Sequence, residues 1–461
     1  MKSNFIIALI VSSASLFAEK PNILYINADD LGVMDVSFMG DERYHTPNLQ
    51  RLADQGMVFS EGYAASANCA PSRAAVLSGQ AAPRTGVYTV ASSERGHKKT
   101  RKLIPTKNTH YLSNDSITLA DEMKANGYVT CQIGKWHVGE DPEKQGVDIN
   151  IAGAKWGTPP GGYYVPYKNH KLPDGPEGEY LTDRLTDEAI KFVRTHKEQT
   201  FFLYLPYYTV HTPLQGRKDL RKKYIGKKGI NADYAAMVEA LDENIGRLLD
   251  ELDKLELTEN TLVVFSSDNG GITQLSTQAP YRAGKGSYYE GGVRVPLTIR
   301  WPGVVKPGSR SEVPVTGLDF YPTMLDAAGG EVAKGKEIDG TSLMPILSQK
   351  GEFPDRVLYW HFPIYLQNYG KEDGGRDPLF RTRPGSTMRM GKWKLHEYFE
   401  DGGVELYNLE NDLGETKNLA AKMPEKVSEL MKLLRAWRDE MNAPVPTKLN
   451  PHYDPNLKKH R

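Results

Sequence analysis

From Pro21 to about residue 345, short apolar runs alternate with longer amphipathic ones, a pattern that predicts an α/β domain with a largely parallel sheet. Four of the runs lead into polar clusters. Residues 22–27 (NILYIN) precede Asp29-Asp30, residues 128–133 (YVTCQI) precede Gly134-Lys135-Trp136-His137, residues 201–205 (FFLYL) are followed by His211, and residues 262–266 (LVVFS) precede Asp268-Asn269. Each reads as a strand with polar residues just past its carboxyl end, the edge at which open α/β sheets bind ligands. Between them, residues 233–257 place Met237, Leu241, Ile245, Leu248, Leu252 and Leu255 at steps of three and four, which predicts a scaffold helix with one apolar face.

After residue 345 the pattern changes. Strand-like runs at 356–362, 386–390, 393–397 and 404–408 precede an amphipathic helix carrying Val427, Leu430, Met431, Leu434, Trp437 and Met441 on one stripe. This predicts a smaller antiparallel sheet with a helix on one face, and an exposed terminus after Pro444. The expected fold is therefore a large, mostly parallel sheet sandwiched by helices, with a smaller C-terminal antiparallel sheet plus helix. The expected division is 1–18, 19–345 and 346–461.

Residues 1–18 are set apart from the fold because they read as a secretory signal peptide: a basic residue at Lys2, an apolar run from Phe5 to Val11, and small residues before Glu19. That run is too short to span a bilayer, and no other stretch approaches a membrane span, so the expected location is periplasmic or secreted. The 461 residues carry 58 Lys plus Arg against 58 Asp plus Glu. This balance argues against a surface built to grip nucleic acid. Two cysteines cannot form a disulfide framework, so any role for them is individual.

One of the two, Cys69, opens the sharpest motif in the chain: Cys69-Ala70-Pro71-Ser72-Arg73, continuing through Ala74–Leu77 to Ser78-Gly79. At average residue usage C-x-P-S-R arises by chance in roughly one chain of this length per thousand. Pro71 suits the first turn of a helix, which would put Cys69 just before a helix N-terminus, where partial positive charge favours an anion. Arg73, one turn on, carries a planar fork of donors suited to a tetrahedral oxyanion. A small buried cysteine ahead of a helix is the plainer alternative.

With Gly127-Tyr128-Val129-Thr130-Cys131-Gln132-Ile133-Gly134-Lys135-Trp136-His137 as a second motif, the chain resembles the formylglycine-dependent sulfatases, the type I family related to alkaline phosphatase. The resemblance runs from Pro21 to the helix near Met441. It implies that a maturation enzyme, of the formylglycine-generating or radical type, oxidises Cys69 to formylglycine (3-oxoalanine). The hydrated aldehyde has two hydroxyls, one to attack sulfur and one to expel sulfate afterwards, which a serine lacks. It also implies a calcium site formed by Asp29, Asp30, Asp268 and Asn269 with the modified Cys69. These are oxygen donors suited to calcium or, less well, magnesium.

A divalent cation with three aspartates sums to −1 and a sulfate monoester adds −1, so the pocket needs cations. Arg73, Lys135 and Lys285, with protonatable His137 and His211, stand at the family's positions for them. By resemblance Asp268 accepts a proton from the attacking hydroxyl, and Lys285 or His211 donates one to the leaving oxygen. His137, on the same side as Lys135 if the chain stays extended, deprotonates the second hydroxyl.

Six basic residues and no acid lie between positions 95 and 107 (Arg95, Lys98, Lys99, Arg101, Lys102 and Lys107). They form either a solvated loop or a rim that steers a polyanion. His110, His361, Arg381 and Arg383 are further candidates for substrate contact, while Trp393 is read as a core residue of a strand. Sulfated polysaccharides or their oligosaccharides are the expected substrate class. A phosphate or phosphonate ester hydrolase of the same superfamily, or a non-catalytic sulfated-glycan binder, is the alternative. Oligomeric state is not written in the sequence.

Overall fold

A computed structural model of the protein describes residues 20–369 and 374–457; the expected signal peptide lies outside the described residues. Eight strands form the main sheet in the order Ile149–Ile151, Val129–Ile133, Phe201–Pro206, Asn22–Ala28, Thr261–Ser267, Leu297–Arg300, Met57–Phe59, Ser309–Ser311. All run parallel except Leu297–Arg300, which is antiparallel to both neighbours. The central strands are buried on both faces, and successive side chains feed opposite cores. Leu24, Ile26 and Ala28 pack with the helices Leu181–Thr195 and Ala232–Lys254, whereas Ile23 and Tyr25 pack with Ala70, Ala74, Leu119 and Phe320 on the other face. The long scaffold helix is three residues shorter at its C-terminal end than its apolar pattern suggests, and Leu255 packs on the core from just beyond it.

A four-stranded antiparallel sheet follows, in the order Val357–Phe362, Gly385–Met390, Trp393–Tyr398, Val404–Asn408. The helix Pro424–Glu440 covers one face through Leu430, Met431 and Leu434, with Trp393 half-buried in the same cluster. The sheet is joined to the main body by buried charge. Lys394 Nζ lies 2.8 Å from Glu290 Oε1 and 3.3 Å from Glu415 Oε1, all three side chains shielded from solvent.

The described segment after Pro444 is largely exposed, as expected, but it is tethered to the body. Leu449 bridges Leu103, Ile104 N donates to Lys448 O, and Asn450 N donates to Lys102 O, so the tail straps the basic 95–107 segment. Short-range pattern could not reveal this, because the tail's partners lie at the other end of the chain. Among the described residues no helix is long and apolar enough to cross a membrane.

Candidate active site

The polar clusters that follow the strands converge at one place on the carboxyl edge of the sheet. Ala28 pairs with Ser267 across adjacent parallel strands, so Asp29-Asp30 and Asp268-Asn269 leave the sheet side by side. Asp268 N donates to Ala28 O at 3.1 Å, and Asp30 N to Asp268 Oδ1 at 3.2 Å. From the strand on the other side, Lys135 N donates to Pro206 O at 2.7 Å. Gly134 makes this approach possible: with φ +118, a Cβ there would lie 2.2 Å from Pro206 O.

Cys69 is the first residue of a buried helix, Cys69–Ser78, with extended Asn68 at the N-cap. It sits one position further into the helix than the motif suggests. Pro71 remains within the first turn, where a missing N–H costs nothing. Cys69 Sγ belongs to a group in which one ligand atom each from Asp29, Asp30, Cys69 and His211 lie within 4.8 Å of one another. Lys285 Nζ lies 3.4 Å from Cys69 Sγ and 2.7 Å from Asp30 Oδ2. Lys135 Nζ donates to Asp29 Oδ2 at 2.6 Å. Asn269 Nδ2 donates to Asp30 Oδ1 at 2.9 Å. Two buried oxygens of this cluster, Asp29 Oδ1 and Asn269 Oδ1, accept no hydrogen bond among the described residues.

Arg73 takes a different position from the one its fork suggests. Its Nε donates to Asp268 Oδ2 at 2.8 Å and its Nη1 to Lys135 O at 2.8 Å, so the guanidinium braces two other site residues from beneath. His137 has φ +66, so the chain turns at this point instead of running extended past Lys135. Its Nδ1 is buried without a partner. The loop through Gly157 lies against the ring: a Cβ on Gly157 would come 2.6 Å from His137 Cε1.

The electrostatics follow from burial beside fixed charge. Burial pushes the Cys69 thiol up to about 11 even though Lys135 and Lys285 pull it down, so the thiol is neutral at pH 7. Burial also raises Asp29, to about 8, against the pull of Lys135. For Asp30, burial is outweighed by Lys285, His211 and Lys135, and the carboxyl is held below the usual carboxylate range. Burial, reinforced by Lys135 and Arg73, holds His137 well below the usual histidine value. Burial and Lys285 push His211 down to about 3. Both imidazoles are therefore neutral at pH 7, and the standing cations are Arg73, Lys135 and Lys285. Lys285, though desolvated, is kept charged by Asp30.

The expected substrate residues divide. Arg95 and Arg381 reach the site's rim; Arg381 Nη1 donates to Lys285 O at 3.2 Å. His361 does not reach it. Its ring is buried, with Nδ1 2.8 Å from Ser386 Oγ and Nε2 2.9 Å from Pro444 O, because its strand turns that face toward the tail. Arg383 is held by Asp377 and Glu400, and Arg101 by Glu94 and the carbonyls of Glu94 and Gly96, so both serve packing. Lys98 and Lys99 are exposed beside the tail, and His110 is exposed beside Tyr111. Gln367 and Tyr369, which adjoin Lys285 and Arg381, escaped the sequence reading. They lie in a polar stretch with no motif or periodicity to mark them.

Comparison with known proteins agrees with this geometry. The family model described as Sulfatase matches residues 21–330, and one described as N-sulphoglucosamine sulphohydrolase, C-terminal, matches residues 284–440. A protein of Formosa agariphila named Sulfatase is 35% identical, over 93% of this chain and 90% of its own length. The N-acetylgalactosamine-6-O-sulfatase of Bacteroides thetaiotaomicron is 28% identical, over 91% of this chain and 93% of its own. The crystal structure of Ps i-CgsB in complex with k-i-k-neocarrahexaose superposes with a TM-score of 0.75 at 30% identity, covering 96% of this chain and 95% of that one. With a family model spanning most of its length and a relative 35% identical over nearly all of it, the chain belongs to the sulfatase family, the sulfuric ester hydrolases of the alkaline phosphatase superfamily.

Proposed function

We propose that the protein hydrolyses sulfate monoesters on sulfated polysaccharides or their oligosaccharides, using a formylglycine made from Cys69 and a calcium ion held by Asp29, Asp30, Asp268 and Asn269. The observation that carries this reading is the position of Cys69 Sγ, grouped with carboxylate oxygens of Asp29 and Asp30 and 3.4 Å from Lys285 Nζ. A neutral, buried thiol at that point is a poor nucleophile as it stands. The donor set fits a hard cation. Its members offer oxygen, two of those oxygens lack partners, and Asp29 is desolvated in a way that a divalent charge would relieve.

A bound divalent cation would polarise the hydrate and offset negative charge on the sulfuryl oxygens. The chain's own residues do the rest. Lys135 and Lys285, held by Asp29 and Asp30, are the ammonium groups available to offset charge that builds up on the sulfuryl oxygens, and Arg73 holds Asp268 in place to accept the proton of the attacking hydroxyl. With that cation, the three aspartates, Arg73, Lys135, Lys285 and a sulfate monoester, the pocket sums to +1. Lys285, 3.4 Å from Cys69 Sγ, or His211, grouped with the same Cys69 and Asp30 atoms, is the donor to the leaving oxygen. His137, whose Nδ1 has no partner among the described residues, is the base proposed for the second hydroxyl.

The saccharide class is supported by what two relatives are named for, an N-acetylgalactosamine-6-O-sulfatase and a protein crystallised with a neocarrahexaose. In this reading residues 19–345 form the catalytic unit, residues 346–461 close one side of the cleft, residues 1–18 direct export, and a separate maturation enzyme converts Cys69. Mass spectrometry of the Cys69 peptide from a host with maturation machinery, coupled to sulfate release on a saccharide panel, tests the proposal. A mass lowered to that of the aldehyde is expected in active enzyme. An unmodified cysteine in fully active enzyme would overturn the mechanism, and turnover of aryl sulfates alone would overturn the saccharide assignment.

A further inference from the structure

Gln367 holds two guanidinium groups at once. Its main-chain oxygen accepts from Arg381 Nε at 3.0 Å, and its side-chain Oε1 accepts from Arg95 Nε at 2.9 Å. The remaining bonds of this pair run to neutral carbonyls: Arg381 Nη1 to Lys285 O at 3.2 Å, and Arg95 Nη1 to Val90 O at 3.3 Å. Among the described residues neither arginine has a carboxylate partner. Nearby Arg101 and Arg383 differ, each paired with acids from its own surroundings. Burial, together with the neighbouring Arg381, lowers the pKa of Arg95, as expected for like charges held together without an anion.

The pair adjoins the reacting centre. Arg381 touches the carbonyl of Lys285, whose ammonium lies 3.4 Å from Cys69 Sγ. The turn at Gly286 (φ +87) lets it do so, because a Cβ there would lie 3.0 Å from Arg381 Nη1. Tyr369, 47% exposed, stacks on the same guanidinium with 3.8 Å from Cζ to the ring centroid, and its hydroxyl also influences Lys285. A largely buried fork (Arg381), a part-buried neighbouring fork (Arg95) and an exposed aromatic face (Tyr369) therefore lie together, with Arg381 one lysine side chain away from the nucleophile position.

We infer that Arg95 and Arg381, clamped by Gln367, form a second anion-binding subsite that takes a sulfate or carboxylate group carried by the saccharide beside the ester being cleaved. The inference rests on the saccharide sulfatase reading above and names what that saccharide must carry. Planar guanidinium forks match the oxygens of either group, and two forks side by side with no carboxylate partner among the described residues favour an anion over a neutral hydroxyl. Tyr369 offers its face to the ring that bears the group.

The test uses three disaccharides with the same scissile sulfate: one otherwise neutral, one with a second sulfate, one with a uronate carboxylate. Calorimetric titration into calcium-loaded Cys69→Ala protein measures binding without turnover, and kcat/KM on matured enzyme measures it with turnover. The second anion is expected to tighten binding at least ten-fold. That gain should fall below three-fold in Arg95→Gln and in Arg381→Gln, and Arg95→Lys should retain part of it. The arm showing the larger gain identifies sulfate or carboxylate as the preferred group. Equal affinities for the three sugars, or a gain that survives both substitutions, would overturn the subsite. No saccharide binding at all would overturn it too, whereas continued sulfate release from an aryl ester would leave the sulfatase chemistry standing.

Discussion

Arg73 and Asp268 are joined beneath the site, guanidinium Nε and carboxylate Oδ2 2.8 Å apart, with both side chains shut off from solvent. Breaking such a pair from one side strands a buried charge, which costs about 3–5 kcal/mol. Arg73→Ala is therefore expected to lower stability by that amount as well as abolish turnover, seen as a lower thermal midpoint than the parent. An unchanged midpoint would mean the pair contributes nothing to the fold.

The same pairing guides the choice of substitution at Asp268, the carboxylate proposed to accept the proton. Asp268→Asn keeps the volume and an acceptor for Arg73, whereas Asp268→Ala would not. Cys69→Ala and Asp268→Asn are expected to reduce kcat by about 10⁴-fold or more, the scale on which removal of a nucleophile or its partner acts. Circular dichroism spectra should match the parent. Substantial residual sulfate release from either variant would sink the assigned roles.

Removal of metal should affect both folding and activity. EGTA treatment is expected to lower the thermal midpoint and stop turnover, and added calcium to restore both. A ligand at one hundred times its Kd stabilises by about 2.7 kcal/mol. In Asp29→Asn and Asn269→Ala the dependence of the midpoint on calcium concentration should shrink. Full recovery with magnesium at the same concentration would count against calcium.

His361 supplies a pH dependence of stability that is separate from catalysis. Its Nε2 faces Pro444 O, an acceptor only, so Nε2 carries the proton and Nδ1 accepts from Ser386 Oγ. Burial, with Arg438 nearby, pushes its pKa from 6.5 down to about 4. Above pH 6.5 the ring is neutral folded or unfolded. Between 6.5 and 4 only the unfolded chain takes up the proton, so stability falls as pH falls, by up to about 3 kcal/mol. The thermal midpoint of His361→Gln is expected to vary less steeply across that window than the parent's. An equal slope would mean the ring is not the group responsible.

Much of the site was legible along the chain because ligand-binding residues in an α/β sheet sit just beyond the strand that carries them. Asp29, Asp30, Lys135 and Asp268 could each be marked from an apolar run that stops at a polar residue. Cys69 and Arg73 were marked by a rare local motif. Side-chain partnership was not legible. Arg73 pairs with Asp268, Gln367 binds Arg95, and His361 binds Pro444 O, and in each case the partners are far apart in sequence, at spacings that carry no period.

By itself the sequence determined the sheet, its two cores and the carboxyl edge where the chemistry lies, since the alternation of apolar and polar residues records which face is buried. Only the tertiary structure decided which arginines are paired with carboxylates among the described residues and which are not. Arg95, Arg101, Arg381 and Arg383 look alike as letters. They differ because Arg101 and Arg383 meet carboxylates when the chain closes, while the hydrogen bonds of Arg95 and Arg381 among the described residues go to carbonyl oxygens. An arginine already neutralised by a carboxylate has little left to offer an anion, and that neutralisation depends on contacts made across the fold.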